Sequence, residues 1–362
     1  MSIKEINLCA FRNHDNLKLE FGAGVNVIWG RNGSGKTAVL ESIYLLAYGR
    51  SFRTKKLLEA LQIDRDSMNI AGLFEHNGVQ QEIKLNQLSD NRRRFFLNGK
   101  ALNGTRDLIG LNPVIVLSPE EQIITKGGPA DRRSYFDRVF SVASREYVNV
   151  LADYTRILKQ RNAALILAAR GTISEPSVTA WNGKLIQEGT KIWQLRSAMT
   201  AEFANDLKQA AVDFTVDDPQ IDLLYSLADG TNEGKFEQLL RDSYSVDLQR
   251  GHTSIGPHRD LFDFSFREQD LRKFGSQGEH KLTLVVIKMA EGLYIRRHTS
   301  RVPTILLDDL FAKLDFRRSD QVLRALGTDA QTIITATDLV DLERRGIALS
   351  GTDDHSFHLE RD

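Results

Sequence analysis

The sequence predicts an α/β fold organised around a phosphate-binding loop, with a helical arm inserted into the chain. An apolar run at residues 25–29 ends in the pattern Gly-x-x-x-x-Gly-Lys-Thr at residues 30–37, and an apolar helical pattern follows. Apolar residues recur at helical spacing between residues 130 and 213, whereas the flanking segments contain strand-like patterns. Strand-like and helical patterns in this succession are typical of an α/β protein.

Composition sets limits on the classes of function. The chain has 362 residues, with 48 Lys and Arg against 48 Asp and Glu, so its formal net charge is zero. Nucleic-acid binding would therefore need a local basic patch. The single cysteine, Cys9, excludes a disulfide framework and a cysteine-based zinc site, and we expect it to be a small core residue. Because neither a signal-peptide pattern nor a membrane-length apolar run occurs, we expect a cytoplasmic protein.

The glycine loop predicts a nucleoside triphosphate site. Its glycines let backbone N–H groups approach phosphates, Lys36 reaches the same oxygens, and the Thr37 hydroxyl is suited to Mg²⁺. A tight structural turn is the alternative, and the strand before the loop and the helix after it argue against that alternative. The candidate nucleotide-binding residues are Gly30, Arg31, Asn32, Gly33, Ser34, Gly35, Lys36 and Thr37.

The segment before the loop alternates apolar and polar residues at 3–11 and 17–21, which predicts two strands joined by a turn. Arg12 and Asn13 lie in that turn. They fit a loop that folds over bound phosphates, and they fit a plain hairpin turn in which Asn supplies the turn chemistry. Local sequence leaves both alternatives open.

A second hairpin is predicted after strands near residues 69–75 and 79–85, because Asn98-Gly99 separates two strand-like runs. Its first arm carries Arg92, Arg93 and Arg94 beside two phenylalanines. Basic and aromatic residues together suit contact with a nucleic-acid backbone. An edge strand that is charged to prevent aggregation is the alternative.

The middle of the chain predicts a short buried strand in residues 112–119, bounded by prolines, with Glu120, Glu121 and Gln122 just past its end, where open α/β sheets bind their ligands. Two long amphipathic helices, joined by a loop at residues 171–179, follow as an α-hairpin arm. Strand patterns resume at residues 221–225 and 261–266. The His-Arg-Asp tripeptide at residues 258–260 is not a kinase catalytic loop, since no Asp-Phe-Gly follows.

Three features close the chain. Ser276 and Glu279 have the spacing of a capping box before an amphipathic helix. An apolar strand then ends in Asp308 and Asp309. A last strand is predicted at residues 332–337.

In this order the features resemble the ATP-binding-cassette ATPase head, with its Walker A, signature, Walker B, D-loop and switch segments. The resemblance implies that Asp308 holds Mg²⁺ and that Asp309 is the catalytic carboxylate, acting with Lys36. It also implies that Ser276 and Gly278 contact ATP held by a second subunit. Transporter ATPases carry histidine at the switch position, where this chain has Thr335 to Thr337, and they place the signature much closer to the P-loop.

Within that superfamily the chain resembles the RecF family of bacterial recombination ATPases, which are related to the SMC proteins. The departures are Glu279-His280, where the family usually has Gln-Gln, and Leu261, where a second Asp is common. The matching stretches span nearly the whole chain: residues 11–14, 49–54, 98–99, 117–120, 127–133, 256–260, 276–279 and 306–309.

The resemblance implies an ABC-type P-loop ATPase head with a β-rich N-terminal lobe, in residues 1–125 and 216–362, and a helical arm in residues 126–215. It implies that Arg12 and Asn13 contact ATP, that Thr37, Asp308 and Gln122 serve Mg²⁺, and that one residue of 120–122 acts as a Q-loop. A basic hairpin contacting DNA through Arg92 to Arg94 is a weaker implication.

The family's activity completes these expectations. They are a weak, DNA-stimulated ATPase and an ATP-induced dimer that clamps duplex DNA at single-strand gaps. The dimer is expected to help RecR and RecO partners load RecA, in DNA repair, replication and the SOS response. A bacterial, nucleoid-associated location follows from the same resemblance. An ABC transporter ATPase subunit and another P-loop NTPase are the alternatives.

Overall fold

The computed structural model describes residues 2–214, 220–227, 232–308, 330–339, 342, 349 and 351–360. Its strands are β1 (Ser2–Phe11), β2 (His14–Glu20), β3 (Val25–Trp29), β4 (Ser67–His76), β5 (Val79–Leu88), β6 (Arg93–Leu97), β7 (Lys100–Ala101), β8 (Val114–Leu117), β9 (Ile221–Ser226), β10 (Leu261–Phe266), β11 (Gln269–Asp270), β12 (Thr304–Leu307), β13 (Thr332–Ala336) and β14 (His355–His358). Its helices are α1 (Lys36–Tyr48), α2 (Ile123–Lys126), α3 (Pro129–Ala143), α4 (Arg145–Ala169), α5 (Glu175–Thr179), α6 (Asn182–Phe214), α7 (Glu233–Asp242), α8 (Tyr244–Arg250), α9 (Leu271–Phe274) and α10 (Gln277–Thr299). None of these described helices could span a membrane.

The chain divides into two units. Unit 1 comprises Met1–Gln122, Val212–Val216 and Leu284–Asp362, and unit 2 comprises Ile123–Ala211 and Asp217–Thr283. The expected boundaries at residues 125 and 215 remain a prediction. The contacts group residues 217–283 with the helical segment, because β10 packs on α3 within unit 2.

Unit 1 contains a parallel sheet and an antiparallel sheet. The parallel sheet has the order β14-β3-β13-β12-β8, and the antiparallel sheet has the order β2-β1-β4-β5-β6-β7. Helix α1 contacts strands of both sheets, and every one of its residues except Thr37 is buried. Its apolar sequence is explained by this position, because a helix covered on all sides has no polar face. The short strand β14, which pairs with β3, was not predicted.

Strand β1 departs from regular alternation. Ile3 and Ile6 are both buried although they are three positions apart, because the register with β4 shifts between Ile3 and Glu5. Past this bulge the alternation is regular, so Leu8 is buried and Cys9 faces solvent. The prediction that Cys9 is a core residue was wrong, since the side chain of the next residue along a strand points to the opposite face.

Unit 2 is mainly helical and includes the small sheet β11-β10-β9. The predicted helical hairpin is confirmed by α4 and α6, with the short α5 inside their connection. The sequence analysis missed α3. Pro129 occupies the first turn of α3, where proline is tolerated. Phe136 of α3 stacks on Phe262 of β10, with 4.4 Å between ring centroids.

Candidate nucleotide-binding site

The predicted glycine loop connects β3, which ends at Trp29, to α1, which begins at Lys36. Gly35 has a φ of 90°, a left-handed conformation that residues with side chains rarely adopt. A Cβ atom at this position would also clash with the His14 ring and the Asn13 side chain. Both the turn and the close approach of these neighbours therefore require glycine at position 35.

Two side chains of the loop suit an oxyanion. The Lys36 ammonium is buried and donates to the carbonyl oxygens of Gly30 and Arg31 at 2.8 and 2.9 Å. The Ser34 hydroxyl is buried, and it has no hydrogen-bond partner among the described residues. A buried polar group without a partner is costly, so a ligand oxygen would complete the site. The loop therefore fits a phosphate group.

Asp308 follows β12 at the carboxyl end of the parallel sheet, where such sheets bind ligands. The Thr37 hydroxyl donates to Asp308 Oδ1 at 2.9 Å, and the Thr335 hydroxyl donates to the same atom at 2.7 Å. A hydroxyl and a carboxylate are oxygen ligands of the kind that Mg²⁺ prefers. The structure thus brings together two of the three predicted metal-binding residues, and their role stays a prediction.

The turn between β1 and β2 lies against the glycine loop. Asn13 Nδ2 donates to the Gly33 carbonyl at 3.2 Å, and His14 Nε2 lies 3.1 Å from the Gly35 carbonyl. Since a carbonyl oxygen only accepts, His14 Nε2 carries the proton. The segment was predicted to be either a loop that folds over bound phosphates or a plain hairpin turn. These alternatives are compatible, because the hairpin turn between β1 and β2 also lies against the glycine loop.

Glu41 of α1 organises this region and was missed by the sequence analysis. Its fully buried carboxylate accepts from Arg12 Nε at 2.8 Å and from Arg12 Nη2 at 2.6 Å. Arg53 Nη1 lies 3.3 Å from the same carboxylate, and the Ser51 hydroxyl donates to it at 2.5 Å. A lone carboxylate in an apolar helix was the available signal. The guanidinium of Arg12, a predicted ATP contact, is thus held by Glu41.

The candidate Q-loop, residues 120–122, lies in a 3₁₀ turn after β8. Glu121 accepts from the Lys288 ammonium at 2.5 Å, and Glu291 accepts from the same ammonium at 3.1 Å. Lys288 is fully buried, so these carboxylates balance its charge. Glu121 therefore has a structural partner, and the assignment of Gln122 to Mg²⁺ stays a prediction.

The predicted capping box is present at the start of α10. The Ser276 N–H donates to the Glu279 carboxylate at 2.7 Å, and the Glu279 N–H donates to the Ser276 hydroxyl at 3.3 Å. The hydrogen bond that the Ser276 N–H donates to the carboxylate lowers the pKa of Glu279. Ser276 and Gly278 are exposed in unit 2. Their contact with a second subunit's ATP stays a prediction.

The three candidate DNA-binding arginines lie at the start of β6 and differ in their contacts. Arg92 Nε pairs with Asp90 at 2.6 Å, and Arg93 Nη1 donates to the Gly49 carbonyl at 3.2 Å. Arg94 is exposed on the opposite face of β6 from Arg93, because neighbouring strand residues alternate. Arg93 and Arg94 therefore lie on opposite faces of the strand, and the DNA contact assigned to Arg92, Arg93 and Arg94 stays a prediction.

Asp309 and residues 312–315 of the expected D-loop lie outside the described residues. The catalytic role assigned to Asp309 therefore stays a prediction.

A glycine loop between a parallel strand and a helix, with a carboxylate at the end of a nearby strand, defines a P-loop nucleotide-binding protein. The family model described as the RecF/RecN/SMC N terminal domain matches residues 2–346. The chain belongs to this family, and RecF proteins are among its curated relatives.

Among these relatives, the DNA replication and repair protein RecF of Moorella thermoacetica is 33% identical over 361 residues, covering 100% of this chain and 95% of the relative. The protein of the same name from Clostridium acetobutylicum is 31% identical over 347 residues, covering 95% of each chain. A solved structure of the recombination mediator protein RecF with ATP superposes with a TM-score of 0.87 at 29% identity, covering 94% of this chain and 92% of that one. These similarities confirm the predicted ABC-type ATPase head.

Proposed function

We propose that this protein is an ATP-dependent DNA-binding ATPase of recombinational repair and replication. The observation that carries the ATPase part of the proposal is the Thr37–Asp308 contact of 2.9 Å beside a P-loop whose Ser34 hydroxyl lacks a partner among the described residues. The RecF relatives support the role in DNA replication and repair. The solved relative that is bound to ATP supports the same nucleotide here.

In the proposed site, the backbone N–H groups of residues 30–35 and the Lys36 ammonium bind the β- and γ-phosphates of ATP. Thr37 and Asp308 would hold Mg²⁺, and the ion would neutralise negative charge on the phosphates. Arg12 and Asn13 line the same loop, and Asp309 orients the attacking water. Hydrolysis yields ADP and phosphate.

We further propose that ATP joins two copies of the chain. In that dimer Ser276 and Gly278 of each copy contact the ATP of the other, where the positive end of α10 favours an anion. The dimer clamps duplex DNA near single-strand gaps, and hydrolysis opens it. The RecFOR pathway named for the solved relatives supports RecR- and RecO-type partners. We propose loading of RecA from the family resemblance alone.

Fluorescence anisotropy tests the proposed DNA binding. Labelled gapped duplex, intact duplex and single-stranded DNA are titrated with the protein at several salt concentrations, with and without ATP and Mg²⁺. The proposal expects ATP-dependent binding that weakens with salt and is strongest for the gapped duplex. The Lys36→Met variant is the matched control and should lose the ATP dependence. Absence of binding to all three DNAs in the presence of ATP would contradict the proposal.

A further inference from the structure

The turn at residues 256–260 is one of the stretches that match the RecF family, and the nucleotide site does not explain it. Residues 257–259 form a single 3₁₀ turn in unit 2 before β10. Gly256 has a φ of 132°, and a Cβ atom there would lie 2.6 Å from the Tyr154 hydroxyl oxygen. The turn therefore needs glycine at this position.

Hydrogen bonds with buried side chains fix the turn in place. Asp260 is fully buried and accepts from Trp193 Nε1 at 2.8 Å, from Arg196 Nη1 at 2.6 Å and from the Tyr225 hydroxyl at 2.7 Å. His258 Nδ1 lies 2.7 Å from the Tyr154 hydroxyl oxygen. The backbone of the turn is thus fixed on several sides.

A second family-matching stretch, residues 127–133, meets this turn. Arg133 Nη1 donates to the Asp260 carbonyl oxygen at 2.8 Å. Burial, and then the charge of Arg196, lower the pKa of Arg133. Its guanidinium therefore lies in a place where positive charge is not fully compensated.

Arg259 is the one residue of the turn that the buried network does not use. Its side chain is exposed and makes no hydrogen bond or ion pair with any described residue, while its backbone N–H donates to the Gly256 carbonyl at 2.8 Å. Arg133, Arg196 and Arg259 carry three positive charges around the turn, against two negative charges on Asp137 and Asp260. A structural role explains Gly256, His258 and Asp260, whereas it leaves Arg259 unexplained.

We propose that Arg259, presented by this rigid turn and supported by Arg133, binds a backbone phosphate of DNA. A guanidinium suits a phosphate because it donates two parallel hydrogen bonds, and the fixed backbone lowers the entropy lost on binding. The inference rests on the proposed DNA binding and assigns one of its contacts to unit 2.

The test compares Arg259→Ala with Arg241→Ala in ATP-dependent binding of labelled duplex DNA across a salt series. Arg241 is an exposed arginine of the same unit that pairs with Glu237 at 2.9 Å, so its removal should leave DNA binding unchanged. Arg259→Ala should weaken binding about three- to tenfold at low salt. It should also reduce the slope of log K against log salt by about 0.9 for each bound chain, whereas Arg259→Lys should keep the slope.

Thermal unfolding and DNA-free ATP hydrolysis should match wild type for all three variants, because Arg259 lies outside the buried network and the nucleotide site. If Arg259→Ala binds DNA with the affinity and salt slope of Arg241→Ala, the inference is wrong and the proposed function stands. A loss of affinity with an unchanged salt slope would also overturn a phosphate contact. If wild type fails to bind DNA with ATP, the proposed function fails, and this inference fails with it.

Discussion

The guanidinium of Arg12 and the carboxylate of Glu41 form a bidentate ion pair, with N···O distances of 2.8 and 2.6 Å. Glu41 lies on α1, the helix that follows the P-loop. The same carboxylate forms an ion pair with Arg53 and accepts a hydrogen bond from the Ser51 hydroxyl. Arg12 has a φ of 56°, so its backbone is held in a conformation that is uncommon for a residue with a side chain. Glu41 thereby fixes the turn that covers the glycine loop.

Glu41→Gln should destabilise the protein by about 2–3 kcal/mol, because two guanidiniums lose their buried counter-charge while both stay partly exposed. Urea unfolding measures the change. Glu59→Gln removes an exposed carboxylate from the same region and should cost less than about 0.5 kcal/mol. Equal effects of the two substitutions would show that the buried ion pair contributes nothing specific.

Asp308→Asn should lower the rate of ATP hydrolysis about 100-fold or more, since a neutral amide is a poor Mg²⁺ ligand. Nucleotide binding without Mg²⁺ should persist, because the glycine loop and Lys36 are unchanged. Steady-state phosphate release and binding of a fluorescent ATP analogue measure the two effects. Asp90→Asn, at an exposed carboxylate of unit 1, should leave both at the wild-type level, and a wild-type hydrolysis rate for Asp308→Asn would remove Asp308 from the site.

Lys288→Met should destabilise unit 1 by about 3–5 kcal/mol, because Glu121 and Glu291 would lose the buried cation between them. Lys281→Met on the same helix should have a small effect, since Lys281 is only partly buried. Chemical denaturation of both variants measures the difference. Wild-type stability of Lys288→Met would contradict the assignment of a buried charge cluster.

The stability of unit 2 should depend on the protonation of His258. Burial lowers the pKa of His258 from 6.5 to about 4. The unfolded chain therefore binds a proton between pH 6.5 and 4 that the folded chain excludes, so stability is lost as the pH falls through this window. The loss is at most about 1.4 kcal/mol for each pH unit.

His258→Gln is the matched variant for this prediction, because an amide can accept from the Tyr154 hydroxyl and donate to the Thr253 carbonyl, as His258 does. Unfolding of both proteins is followed from pH 7 to pH 4.5. Wild type should lose more stability than His258→Gln over this range. Identical pH profiles would mean that His258 titrates normally in the folded chain.

Local chemistry explains what the sequence predicted well. The glycine loop, the Ser276–Glu279 capping box and the strand before Asp308 each depend on residues that are close in sequence, so their patterns are visible in the chain. Thr37 and Asp308 were both assigned to Mg²⁺, Asp308 from the order of motifs and the family resemblance, and the structure brings the two side chains together.

The missed features depend on residues that are far apart in sequence. Glu41 with Arg12 and Lys288 with Glu121 carry no local pattern that names the partner. Cys9 was misplaced because a single bulge changed which residues of β1 face the core. Such features follow from tertiary packing, which propensity and periodicity do not encode.

The central claim is that ATP bound at the glycine loop joins two copies of the chain. Light scattering coupled to size exclusion, with and without ATP and Mg²⁺, measures this directly for wild type and Lys36→Met. Wild type should shift from the chain mass of 40.9 kDa to twice that mass with ATP, and Lys36→Met should not shift. A wild-type protein that binds ATP and remains at the mass of one chain would contradict the central claim.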